Sequence, residues 1–116
     1  MQPKTLSSSS IDGTSVVNPA GESLGHIKDL MIDLKTGLIA YAVVSHGGIL
    51  GIGDKYFAIP WEALRINTKE ETFILDVSKE KFDQAPGFDK DNWPTGALHE
   101  YLTDVYAHFG YKPYWN

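Results

Sequence analysis

The stretch LIAYAVVSHGGILGIGDKYFAIPW, residues 38–61, decides how this chain folds. It reads as an apolar strand over 38–45, a loop holding Gly47, Gly48, Gly51 and Gly53, and a second strand over 56–59 that Pro60 stops by removing a ladder donor. The first strand is apolar at nearly every position, which predicts cover on both faces. Ala40 and Ala42 make one face small, while Ile39, Tyr41 and Val43 fill the other. A close neighbour is therefore expected on the alanine side, either a tightly curved interior or a packed element.

Working towards the N-terminus, Asp33-Leu34-Lys35-Thr36-Gly37 has the residues of a hairpin turn. Before it a long strand is predicted over 24–34. Its apolar positions Leu24, Ile27, Leu30, Ile32 and Leu34 break alternation between 27 and 30, so an extra residue, a β-bulge, is expected near Lys28-Asp29. Asn18-Pro19-Ala20-Gly21-Glu22 is a turn, and Ser15-Val16-Val17 is a short first strand. Residues 1–10, with Ser7 to Ser10, read as a flexible lead-in.

Towards the C-terminus, Trp61 to Leu64 reads as one helical turn, and 64–67 with 72–77 as a final hairpin. Ser78 caps a short helix over 79–85, with Val77 and Phe82 spaced as a hydrophobic staple. Residues 87–95 read as a loop. From Thr95 to just before Gly110 the positions Leu98, Tyr101, Leu102, Val105, Tyr106 and Phe109 follow the spacing of one helical face. Several short strands with turns at about ten-residue intervals, glycine-rich corners and two late helices predict a mainly β fold: a small closed or partly open barrel with a short helix after the last strand and a C-terminal amphipathic helix. The domain reading is a flexible lead-in over 1–10, the barrel over 11–94, and a helix with an aromatic tail over 95–116 that packs on the barrel or on a dimer mate.

Composition narrows the function. The chain has 116 residues, no cysteine, and a formal net charge of −5. That excludes a disulfide framework and thiolate metal sites and fits a cytoplasmic protein. Lysines at 28, 35, 55, 69, 79, 81 and 90 are scattered, and the balance is acidic, so a phosphate-binding face for nucleic acid or an anionic membrane is not expected. No apolar run reaches the length of a membrane span, and the N-terminus lacks the pattern of a secretory signal.

The chemistry-bearing residues favour plain readings. The glycine loop is followed by a strand, not a helix, and lacks Gly-Lys-Ser/Thr, so it reads as a tight corner rather than a phosphate cradle. His26, His46, His99 and His108 form no metal-ligand spacing, and Asp104 with His108 reads as a solvated helix pair. Asp29 and Asp33 share parity on the bulged strand. They could form an acid–base pair, but they read better as carboxylates bonded to nearby amides. No metal, cofactor or catalytic residue is expected.

The runs GESLGHIKDLMID (21–33), TGLIAYAVVS (36–45), GGILGIGDK (47–55), AIPW (58–61) and APGFDKDNWP (85–94) together resemble the PRC-barrel family. That fold is named for the cytoplasmic domain of the photosynthetic reaction-centre H subunit and is shared with the C-terminal domain of the ribosome-maturation factor RimM. The resemblance covers about residues 10–94 and implies a six-stranded barrel serving assembly and protein docking. The membrane helix of the one relative and the RNA-associated domain of the other are absent from this sequence, so no functional residue is carried over.

The expected function is a non-enzymatic protein-interaction adaptor that forms a homodimer, with a partner the sequence does not name. The alternative is a small-ligand module using the barrel mouth near Trp61 and the glycine loop. A hydrolase or isomerase using Asp29, Asp33 and a histidine lacks a nucleophile–base set. The expected contact residues are Ile49, Leu50 and Ile52 at the loop tip, Trp61, which doubles as a core plug, and Tyr106, Phe109, Tyr111, Tyr114 and Trp115 in the aromatic extension.

Overall fold

The computed structural model describes residues 5–46, 55–67, 69–89, 93 and 98–115. Seven strands form one sheet: β1 (Ser15–Val17), β2 (Ser23–Ile32), β3 (Ile39–His46), β4 (Lys55–Ile59), β5 (Leu64–Asn67), β6 (Thr72–Leu75) and β7 (Gly87–Asp89). Their order is β5-β6-β1-β2-β3-β4-β7. All neighbours are antiparallel except β1 and β6, where Val16 lies beside Phe73 in a parallel pair. Six of these strands lie where the sequence predicts them. The seventh forms within the stretch read as a loop: Gly87–Asp89 add to the free edge of β4, with Phe88 opposite Tyr56. Three residues carry no readable alternation, which is why composition alone does not show them. Among the described residues β5 and β7 each pair with one neighbour, so hydrogen bonds do not close the sheet into a cylinder.

The long β2–β3 hairpin sets the geometry. Its register shifts between Ile27 and Asp29, the expected bulge, and again between Met31 and Ile32. At its tip the Asp33 amide donates to the Leu38 carbonyl (2.8 Å) and the Gly37 amide to the Asp33 carbonyl (2.7 Å). Gly37 takes a φ of +78°, a conformation glycine adopts without a Cβ penalty.

Cross-strand partners share a face of the sheet. Ile27, Val44 and Phe57 are successive partners, and on their side Phe82 packs against Phe57 with ring centroids 4.7 Å apart. Ala42, which pairs with both Leu30 and Ile59, lies on this same inner side. On the opposite side Tyr41, Val43 and Ala58 are buried. There α3 (Leu98–Phe109) packs over β4. β3 is thus covered on both faces, as its near-continuous apolar run requires.

Three short helical pieces complete the chain. α1 (Ser8–Ile11) is a single turn within the N-terminal lead-in, capped by the Ser7 hydroxyl and anchored by buried Ile11. Trp61–Ala63 form a 3-10 turn. α2 (Lys79–Asp83) is capped by Ser78, whose hydroxyl accepts from the Lys81 amide, and drives Phe82 into the core. No described helix is long and apolar enough to cross a membrane.

Candidate functional site

The expected contact residues fall into three groups. Ile49, Leu50 and Ile52 lie outside the described residues. The C-terminal aromatics are taken up largely within the chain. Tyr106 and Phe109 are buried, and Tyr114 and Trp115 pack partly buried against the core. Tyr111 remains exposed. Trp61 is half-buried beside Phe73, with ring centroids 5.8 Å apart, so it plugs one end of the core and also lines its opening.

That opening is a groove of about 380 Å3 between β5 and the tip half of the β2–β3 hairpin. Leu64 and Ile66 form one rim, Leu30 and Ile39 the other, and Trp61 and Phe73 lie between them. The N-terminal arm contributes Leu6 and Ile11. A second hollow of about 660 Å3 shares Leu6, Ile11, Ile66 and Phe73 and adds Asp12 and Glu71. The two hollows are neighbours, the one at Trp61 mainly apolar and the other bearing Asp12 and Glu71.

Beside the groove the hairpin tip exposes apolar side chains that the sequence reading treats as ordinary strand positions. Leu34 is 95% exposed, and Ile32 and Leu38 are 51% exposed. Ile32 also lines the groove, which makes tip and groove continuous. The signal was present in the sequence: Leu34 occupies a turn otherwise built from Asp33, Lys35, Thr36 and Gly37.

The PRC-barrel domain family's model matches residues 3–82. The chain belongs to the PRC-barrel family. No curated protein matches it. The family match ends at Phe82, so β7, α3 and the aromatic tail are what this PRC-barrel chain adds to the matched region.

Three hydroxyl groups fix the addition, two of them on the matched region and one, that of Tyr101, within the added segment. Tyr106 donates to the Ala40 carbonyl (2.8 Å), Tyr101 to the Pro86 carbonyl (3.1 Å), and Tyr114 to Asp33 Oδ2 (2.6 Å). Burial, reinforced by Glu62, pushes the Tyr106 hydroxyl up to about 12. Tyr106→Phe is expected to lower stability by about 1–2 kcal/mol, because a buried carbonyl loses its donor. Chemical denaturation checks this. In the wild type the raised folded-state value means the contribution is intact below pH 10 and is lost as pH rises towards 12.

Asp29, Asp33, Asp83, His46 and His108 hold local structure in the PRC-barrel chain. Asp29 Oδ1 accepts from the Leu30 amide (2.8 Å) and Asp33 Oδ1 from the Lys35 amide (2.9 Å), the plain reading of both residues. His46 Nδ1 lies 2.7 Å from the Leu24 carbonyl, and its Nε2 is 3.3 Å from Asp83. This links the end of β3 to α2, and no sequence spacing announces it. His108 Nε2 lies 2.8 Å from the Lys81 carbonyl, which joins α3 to α2.

Proposed function

We propose that this PRC-barrel chain is a non-enzymatic adaptor that docks a protein partner through the β2–β3 tip and the adjoining groove. The observation that carries the reading is Leu34, 95% exposed at the end of a hairpin whose second strand, β3, is buried at every position but its two ends. An isolated exposed leucine is ordinary. Here Ile32 and Leu38 flank it and the groove continues the apolar surface, which is how interaction patches differ from scattered exposure. Each such side chain left in water forgoes about 1.5–3 kcal/mol of burial that a partner can recover. Self-association belongs to the same reading. With Tyr106 and Phe109 buried in their own chain, the tip rather than the aromatic extension is the surface offered to a second copy.

The test is affinity capture from native-host lysate with wild type and Leu34→Asp, alongside sedimentation equilibrium of both. Leu34→Asp is expected to shift stability by less than about 0.5 kcal/mol, since the side chain is in solvent. It is expected to lose a protein that the wild type captures. Equal capture by both proteins would overturn the assignment of the tip.

A small-ligand reading is favoured by one feature, the mainly apolar groove at Trp61. It predicts thermal stabilisation by compact apolar compounds, and that gain should disappear in Trp61→Ala.

A further inference from the structure

The C-terminal segment ends α3 with a glycine hinge and returns to the barrel at a point the helix does not reach. Gly110 adopts a φ of +80°. Its amide donates to the Ala107 carbonyl (3.1 Å), and the Tyr111 amide donates to the Tyr106 carbonyl (2.9 Å). This pair of bonds closes the helix and turns the chain away from its axis. Tyr111 and Lys112 are exposed. Contact resumes at Tyr114 and Trp115, whose rings lie 6.3 and 5.5 Å from that of Tyr106. Tyr114 then reaches the hairpin turn, where its hydroxyl donates to Asp33 Oδ2.

We propose that residues 110–115 form a releasable strap that covers Tyr106, with the Tyr114–Asp33 hydrogen bond as its catch. The inference is independent of which molecule the tip docks.

Three features support release of the strap without unfolding of the barrel. A glycine in a left-handed conformation sits at the hinge, where φ and ψ can change without side-chain strain. The middle of the strap is in solvent, which places it at the low end of local stability. The catch is made on a turn residue, outside the ladders that hold β2 to β3. Tyr106, by contrast, is 1% exposed and fixed by its own bond to Ala40, so it stays in place as the floor the strap covers.

The catch is set for neutral pH. The Tyr114 hydroxyl first, and the Lys35 amide second, hold the Asp33 carboxyl below its usual value of 3.8. Desolvation first, and Asp33 second, push the Tyr114 hydroxyl above its usual value of 10. The titratable side chain facing the pair from α3 is Tyr106. On the turn itself Lys35 and Thr36 contribute hydrogen bonds. A depressed carboxyl contributes stability above pH 3.8 that is lost as pH falls below it. A raised phenol contributes below pH 10 and is lost above it. The catch is therefore strongest between these limits and weakens outside them.

Asp33→Asn and Tyr114→Phe test this. Asparagine keeps the turn, because its side-chain carbonyl can accept from the Lys35 amide, but removes the charge. In both variants amide exchange over 111–115 at neutral pH is expected to quicken about threefold to tenfold, the range of a lost charge-assisted bond at a solvent-facing site. Exchange in β3 and β4 should not change. In the wild type the Trp115 indole N–H resonance, assigned by its absence in Trp115→Phe, should move towards its position in a free peptide of residues 110–116 on titration below pH 3.8. In Asp33→Asn it should already be displaced at pH 7 and show no such acid step. Unchanged strap exchange in both variants would overturn the catch. Acceleration shared equally by β3 and β4 would overturn the strap as a separately releasable element.

Discussion

Gly25→Ala is expected to be the most damaging small substitution in this protein. Gly25 lies in β2 between β1 and β3, opposite Val16, with a φ of +135°. A Cβ built there would stand 2.1 Å from the Ser45 carbonyl oxygen and 3.1 Å from the Val44 side chain. The obstacle is backbone of the adjoining strand β3, which cannot swing aside as a flexible side chain would. Backbone strain at such a φ costs about 1–3 kcal/mol, and overpacking a fitted core adds about 1–3 kcal/mol. Their sum is a large part of the roughly 5–15 kcal/mol that holds a domain of this kind together. Gly21→Ala is the matched control, because Gly21 also has a positive φ (+85°) but nothing lies within 4 Å of its would-be Cβ. Urea unfolding should show Gly21→Ala losing about 1 kcal/mol from strain alone, while Gly25→Ala unfolds at the lowest denaturant concentrations or is recovered insoluble. Equal losses for the two would mean that the close approach of β2 and β3 carries no energetic weight.

The second large effect is expected at Phe82. Its side chain is fully buried. It packs between Phe57, with centroids 4.7 Å apart, and His46, with centroids 5.4 Å apart. It is also the only buried residue of α2, so this short helix has one anchor in the core. Phe82→Ala should cost about 3–5 kcal/mol, combining lost burial with an unfilled cavity, and lower the melting temperature by about 10–20 °C. The loss should extend beyond α2. His46 and Asp83 would lose their shared support, so exchange at the end of β3 should quicken together with exchange in the helix. Phe82→Leu, which keeps most of the volume, should recover more than half of the stability. A melting temperature within a few degrees of wild type for Phe82→Ala would show that α2 is not fastened in this way.

How much of this was readable from residue order varies with the kind of information involved. The β2 bulge was legible because its signature is local: Leu24, Ile27 and Leu30 cannot share one face without an extra residue. The Ser78 cap and the Val77–Phe82 staple were legible for the same reason. The both-sided cover of β3 followed from an apolar run long enough to exclude one-sided burial. β7 was not legible, since Gly87–Asp89 are strand only because β4 has an edge to offer. The candidate surface was read less completely. Tyr106 and Phe109 stand on one helical face by their spacing and are expected as contact residues, but their burial within the same chain depends on the helix crossing β4, which periodicity cannot specify. Leu34 falls both in the alternation of the strand and in the turn, and alternation makes it one more strand residue. Only the turn bonds of Asp33 and Gly37 place it beyond the last ladder pair. The Tyr114–Asp33 bond joins residues far apart in sequence and has no signal in either neighbourhood.

The parallel pairing of β1 with β6 bears on how the chain is made. Val16 is synthesised early, yet the strand that shields its outer edge does not exist until Phe73 and Ile74 have been added. Until then a nascent chain holding the finished β2–β3 hairpin presents β1 as an open edge, the kind of template on which neighbouring chains can pair. Cover of that edge therefore waits on the arrival of β6, and fragments truncated before Phe73 should aggregate where slightly longer ones stay dispersed.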